Sequence, residues 1–340
     1  MLAAAIRTDS AAALKPFAWK QVEPFLESVS RRLASQVAEF EPEIAAYAEY
    51  ALKAQGKQLR PALVALSAEA CGGLNDRHVT VAAIIEMVHL ATLVHDDVID
   101  EAHLRRGRPT LAAQWGNEIS VLLGDCLFAQ ALSLAASFPT PEICRAVASA
   151  ANRVCAGEIL QTQQRRNLEI SREDYFRALE MKTGELFALS CDLGARLATA
   201  SELHREALCQ FGLTLGTAYQ IYDDCVDLFG SEPLAGKSLG TDLAKGKLTL
   251  PVIVALERMS PADRVRLESQ LATWHPDHLP AFLALLEKHD SWKISREVID
   301  DSLGKAEEAL LVLPANEGRD GLLALCATLS HQADALGLPA

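Results

Sequence analysis

The sequence predicts an all-α protein, one domain over residues 1–340 built from about ten or more helices. Three observations predict it. Half of the residues are apolar but only 6% are aromatic, so the apolar set is mostly Ala, Leu, Val and Ile. Ala and Leu stand high on the helix scale, and no run of alternating β-branched residues competes with them. Nearly every segment repeats its apolar residues with helical period, and no low-complexity linker or 20–50-residue repeat divides the chain.

In order along the chain, Leu63, Leu66, Ser67 and Ala70 fall at i, i+3, i+4 and i+7, and Cys71-Gly72-Gly73 supplies a helix stop. Asn75-Asp76 restarts the chain. Val81–Ile99 reads as one long helix, closed by Arg106-Gly107-Arg108-Pro109. Ala112–Ser137 and Pro141–Asn167 follow, parted by Phe138-Pro139-Thr140-Pro141. Ser171, with Asp174 three residues on, is an N-cap for a helix running through Met181, and Lys182-Thr183-Gly184 is expected to break it. Gly184–Ala198, Ser201–Phe229 and Leu250–Arg258 are further helices, with more toward the C-terminus. One echo stands out: LVHDDVID at 93–100 resembles QIYDDCVD at 220–227.

A net charge of −13 argues against a nucleic-acid partner, which needs a basic face. The eight cysteines contain no CxxC pair and no zinc-type spacing, and most sit in apolar stretches. They read as small hydrophobes in a reducing compartment, so a cytoplasmic location is expected. The opening MLAAAIRTDSAAALK has no charged region before its apolar run and is not expected to be a signal peptide. No transmembrane segment is expected either, because Glu86 and His89 interrupt the longest apolar candidate, Val79–Val94.

Asp96, Asp97 and Asp100 fall within about a 100° arc of one helix face. Three such carboxylates repel one another unless a cation neutralises them. Asp223, Asp224 and Asp227 repeat the geometry at the end of the largely apolar run Phe211–Tyr222. All-oxygen sites suit a hard cation, and Mg²⁺ takes few carboxylates together with waters and phosphate oxygens. Two facing triads could therefore clamp a diphosphate. Basic residues recur beside them: Lys57 and Arg60 at i, i+3; Arg105, Arg106 and Arg108; Lys182; and Lys237, Lys245 and Lys247 in a Gly-rich segment.

Five blocks then carry a resemblance: GKQLRP (56–61), HLATLVHDDVIDEAHLRRGRPT (89–110), MKTGELF (181–187), YQIYDDCVD (219–227) and GKSLGTDLAKGKLTLP (236–251). In composition and order they resemble the polyprenyl synthetase family, the trans-isoprenyl diphosphate synthases that join prenyl units head to tail. The resemblance implies a helical bundle of the isoprenoid-synthase type around a central cavity, and a homodimer. It implies that Asp96, Asp97 and Asp100 form the first Mg²⁺ motif and Asp223, Asp224 and Asp227 the second, with Lys182 joining them in catalysis. Lys57, Arg60 and His89 match the isopentenyl diphosphate site, with Arg106 a further phosphate ligand. Arg105, Lys182, Thr183, Gln220, Lys237 and Lys247 match contacts to the allylic diphosphate.

Product length is implied by the residues preceding the first motif. Ala91 and Thr92 are small where short-chain members often carry aromatics, and Val88, Ile85 and Ile84 lie deeper, so a long all-trans product is expected. The chain departs from the family pattern at Gln58, where a basic residue is common, and near the C-terminus, where a basic residue is absent from Leu322–Ala340. Three other readings compete. A terpene cyclase needs no isopentenyl diphosphate pocket, and a non-catalytic subunit of a two-component synthase is expected to lose the aspartate motifs. A di-iron bundle needs a second Glu-x-x-His besides Glu86–His89, and the chain has none.

Overall fold

The computed structural model describes residues 17–53, 56–232 and 239–336. The opening segment read above for a signal peptide, and Lys237, lie outside these residues. Helices dominate, and several start at a side-chain cap. Helices α1 (Phe17–Val37), α2 (Pro42–Leu52) and α3 (Leu59–Ala70) precede the long α4 (Asp76–Ile99). Asn75 caps α4, its side chain accepting from Arg77 N while its own N–H donates to His78 Nδ1. Helix α4 therefore begins five residues before the apolar periodicity and ends before the Arg-Gly-Arg-Pro stretch.

That stretch instead forms a small antiparallel hairpin, β1 (Leu104–Arg105) and β2 (Arg108–Pro109), turned at Arg106 and Gly107, both with left-handed φ. An all-helical reading did not foresee it. The predicted helix Ala112–Ser137 is likewise split. Gly116, at φ 91°, separates α5 (Leu111–Trp115) from α6 (Asn117–Ala136), a conformation that side-chain-bearing residues rarely adopt.

Helix α7 (Glu142–Gln163) leads to α8 (Arg172–Leu179), whose N-cap is Ser171. Lys182-Thr183-Gly184 does not break the chain. Glu180–Gly184 is a π-helical turn running without interruption into α9 (Glu185–Leu197). Single π turns of this kind bulge a helix, frequently at functional positions. Two glycines notch the neighbouring helices to receive the bulge. A Cβ on Gly157 would meet Lys182 N at 2.6 Å, and one on Gly216 would meet Gly184 Cα at 2.9 Å.

Ser201 caps the 28-residue α10 (Glu202–Phe229), which packs along α9. Then come α11 (Thr241–Ala244), α12 (Leu250–Arg258), α13 (Pro261–Ala272), α14 (Leu279–Lys288), α15 (Ser291–Ala309) and α16 (Glu317–Leu336). Helices α3, α4, α9 and α10 share the main apolar core, which includes Leu63, Ile84, Phe187 and Phe211. Burial of this core drives the fold, and it brings the C-terminal ends of α4 and α10, with their aspartates, to one region.

Among the described residues, two helices, α4 and α6, are long and apolar enough to cross a membrane by length and composition. The apolar window of α4 is 67% buried inside the protein, as befits a core helix. The face of α6 is more open, with Leu122 61% exposed and Val121 beside it.

Candidate active site

The last turn of α4 carries the first triad, and each carboxylate meets a different partner. Arg105, brought back by the hairpin, grips Asp97 through Nε at 3.0 Å and Nη2 at 2.8 Å. Asp100 accepts from Arg165 Nη2 at 2.8 Å on one oxygen and from Lys247 Nζ at 2.7 Å on the other, with Lys245 Nζ at 3.6 Å. Burial raises the Asp100 carboxyl, but Lys247 and Lys245 outweigh it and the pKa ends below the usual range. Asp96 lies 4.0 Å from Lys182 Nζ. Burial raises it to about 6, with Lys182 opposing and Glu158 and Asp100 reinforcing.

The second triad divides as well. Asp223 is exposed and lies within electrostatic reach of Lys57 and Arg106. Asp224 is buried, accepting from Tyr175 Oη at 2.6 Å and Gln220 Nε2 at 2.9 Å. Burial and the nearby Asp242 push it up to about 7. Asp227 is fully buried and accepts from Thr241 Oγ1 at 2.7 Å and the Asp242 backbone N–H at 3.1 Å, which anchors α11.

The two triads are bridged twice. On one side the π turn places Lys182 against Asp96 while the adjacent Thr183 donates to Gln220, itself bonded to Asp224. On the other, the segment 241–247 is held by Asp227 at one end and reaches Asp100 with Lys245 and Lys247 at the other. Lys182 also donates to Gln161 at 3.0 Å and pairs with Glu158, so burial's tendency to lower its pKa is overcome by Asp96 and Glu158.

Lys57, Arg60, His89 and Arg106 gather beside this pair of triads. Arg60 stacks 5.0 Å over the Phe187 ring, with Glu86 as its buried counter-charge. Burial, then Arg60, Arg105 and Arg106, hold His89 well below the ordinary histidine range, so the imidazole is neutral at pH 7. Lys57 is lowered by burial, partly offset by Asp223. Gln58 starts α3 in a left-handed conformation and donates to Ser30 Oγ at 2.9 Å.

Of the residues read for product length, Thr92 is half-buried, donating to the His89 carbonyl, and stands one turn from both Asp96 and Val88. Ala91 is 0% exposed and packs with Leu123 and Leu127 of α6, whereas Val88 belongs to the main core. The three do not line one common wall.

Sequence reasoning missed Arg165, Glu158, Gln161, Tyr175 and the counter-charge role of Glu86. The sequence QQRRN at 163–167 offered adjacent arginines, and Glu158 and Gln161 stand at i, i+3 on α7. Nothing in the sequence pointed to Tyr175.

Among the described residues, no three His, Cys, Asp or Glu side chains converge into a preformed metal cage. The donors the two triads offer are carboxylate oxygens, the chemistry that suits a hard divalent cation.

Two carboxylate-bearing helix ends, bridged and ringed by lysines and arginines, thus form the candidate site of a helical bundle. The match to the family described as polyprenyl synthetase spans residues 41–283, and the chain belongs to that family, whose members are prenyltransferases. It is 35% identical over 304 residues to heptaprenyl diphosphate synthase component 2 of Bacillus subtilis (strain 168), covering 88% of this chain and 86% of the relative. A decaprenyl diphosphate synthase structure from Rhodobacter capsulatus superposes with a TM-score of 0.87 at 32% identity, covering 93% of this chain and 98% of that one. A polyprenyl synthase structure from Caulobacter crescentus CB15, complexed with calcium and isoprenyl diphosphate, gives a TM-score of 0.87 at 32% identity, covering 92% and 96%.

Proposed function

We propose that this chain condenses isopentenyl diphosphate with an allylic diphosphate, head to tail, to make a long-chain all-trans polyprenyl diphosphate. The observation that carries the reading is the double bridge between the triads, which sets Lys182, Lys245 and Lys247 around Asp96 and Asp100, with Arg165 as a fourth cation on Asp100.

Mg²⁺ would be held by carboxylates of the two triads, Asp96 and Asp100 of the first as their lysines and Arg165 turn to substrate and Asp223 at the exposed edge of the second, and when bound would assist departure of the diphosphate as a Lewis acid. Lys182, Arg165, Lys245 and Lys247, which lean on carboxylates here, would turn to the diphosphate oxygens, joined by Lys237. Lys57, Arg60, Arg106 and neutral His89 would hold isopentenyl diphosphate beside them. The allylic C–O bond breaks, the isopentenyl double bond supplies the electron pair for the new C–C bond, and the departing diphosphate takes the released proton. Arg60 is braced on Phe187, with Tyr219 5.8 Å from that ring.

The heptaprenyl and decaprenyl relatives support a long product, as do the small Ala91 and Thr92. A short-chain product is the alternative. The open apolar face of α6, with Val121 and Leu122, and the neighbouring exposed Ile159 of α7 support a homodimer in which a second copy covers it. A cytoplasmic location is part of the same proposal, supported by eight cysteines without disulfide-type or zinc-type spacing. The component relative supports a second possibility, that turnover needs another subunit.

The test is incorporation of labelled isopentenyl diphosphate by the purified chain with Mg²⁺ and a series of allylic primers. Incorporation that depends on both primer and Mg²⁺ is expected. No incorporation with any primer, alone or with a partner subunit, refutes the reading.

A further inference from the structure

Asp224 lies in the second aspartate motif, yet a phenol and an amide already take both of its oxygens. Tyr175 Oη donates to Oδ2 at 2.6 Å and Gln220 Nε2 to Oδ1 at 2.9 Å. The tyrosine is 4% exposed and the aspartate 6%. Tyr175 comes from α8, outside every motif that carries the family resemblance, and its ring is edged by Phe176 at 5.4 Å.

The hydrogen bonds give this chain one direction. Gln220 turns its NH₂ toward Asp224 and its carbonyl toward Thr183. Thr183 Oγ1 then donates to Gln220 Oε1 at 2.9 Å. The donors thus run in one direction from each end, and Asp224 is the sink. Thr183 sits in the π turn next to Lys182, so the amide orientation at Gln220 is transmitted to the loop that carries Lys182. On its other side the Tyr175 oxygen is faced by the backbone N–H of Leu250, the first residue of α12. That residue lies three positions beyond Lys247, and α12 has no side-chain cap of its own. One buried hydroxyl therefore bears, through Asp224 and Gln220, on the two elements that carry Asp223 and Lys182, and directly on the start of α12.

We infer that Tyr175 is a positioning residue for the allylic-diphosphate half of the site, acting through Asp224, Gln220 and Thr183 rather than by touching substrate. The inference rests on the prenyltransferase reading above. Removing the phenol hydrogen leaves one oxygen of Asp224 buried without a donor, which frees the carboxylate and the Gln220 amide to rotate. The isopentenyl half, built from Lys57, Arg60, His89 and Arg106, does not share this chain.

The test is Tyr175→Phe, measured in steady-state elongation with each substrate and Mg²⁺ varied in turn, alongside a thermal melt. Supporting groups of this kind change metal affinity or activity by about 10–100-fold when removed. The expected result is a rise of about tenfold or more in the allylic KM and in the Mg²⁺ half-saturation, with the isopentenyl KM within about twofold. Equal changes in both KM values, or none, overturn the inference. Asp224→Asn should show the same split, and adding Y175F to D224N should cost nothing further. A double variant worse by the product of the two singles also overturns it. If Y175F does not fold, D224N alone carries the test by the same split. Failure of the underlying reading would show separately, as wild-type protein that elongates nothing.

Discussion

Gly157→Ala is a one-carbon change that separates activity from stability. Gly157 lies inside α7, where the added Cβ would meet Lys182 N at 2.6 Å, Met181 Cβ at 2.9 Å and Met181 C at 3.0 Å. Two of these are backbone atoms and cannot swing aside. Opening the closest approach to an ordinary contact of 3.4 Å moves the π turn by about 0.8 Å relative to α7. Lys182 moves with it, away from Gln161 and Glu158 on α7 and out of register with Asp96. A displacement of about 1 Å at a positioned group costs about a hundredfold in rate. The stability terms oppose one another. Overpacking costs about 1–3 kcal/mol, while Ala in place of Gly in a helix returns about 1 kcal/mol. The net of about 0–2 kcal/mol corresponds to a Tm fall of only a few degrees in a chain of this size. Elongation rate at saturating substrates and a thermal melt on the same preparation read both effects. A hundredfold loss of rate in a protein that is still folded is expected. Rates within twofold of wild type would refute the idea that the π turn is a rigid platform for Lys182.

Three other outcomes follow from the geometry. Asp227→Asn and Asp223→Asn should part company: the first loses an acceptor for Thr241 or the Asp242 N–H and lowers Tm through a cost of about 1–3 kcal/mol. The second should leave Tm nearly unchanged and raise the Mg²⁺ requirement about tenfold or more, read by Mg²⁺ titration after chelator treatment. Thr92→Phe should shorten the product, seen by chromatography of the extracted chains, because its side chain lies on the α4 face below Asp96. Acidification should destabilise the fold through His78, whose pKa is lowered by burial even though its bond to the Gly194 carbonyl opposes that. Its neutral form accepts the Asn75 N–H, so the folded state binds fewer protons than the unfolded one. Stability is then full above the ordinary histidine pKa of about 6.5 and is lost as pH falls below it. Tm against pH for wild type and His78→Gln should show a shallower acid slope in the variant.

The helical class was legible because apolar periodicity and the Ser171 cap are local signals, and the helix that Ser171 opens is present. The hairpin at Leu104–Pro109 was not, since its strands are two residues long and owe their place to Arg105 gripping Asp97. Lys182-Thr183-Gly184 read as a break because the sequence shows a lysine, a β-branched residue and a glycine in succession. Only the facing Gly157 and Gly216, far away in sequence, make room for a π turn there. The aspartate triads were visible as spacing, but spacing cannot say which oxygens are already taken. Arg105, Tyr175 and the Asp242 N–H settle that from elsewhere in the chain, and Arg165 and Glu158 come together with the triads only through the packing of α7.

The mass of the product made by the purified chain alone, from isopentenyl diphosphate, an allylic primer and Mg²⁺, tests the central claim most directly. A polyprenyl diphosphate extended well beyond twenty carbons is predicted. A product that stops at fifteen or twenty carbons would contradict the long-chain assignment, and the absence of any elongated product would contradict the claim that this chain by itself holds a complete prenyltransferase site.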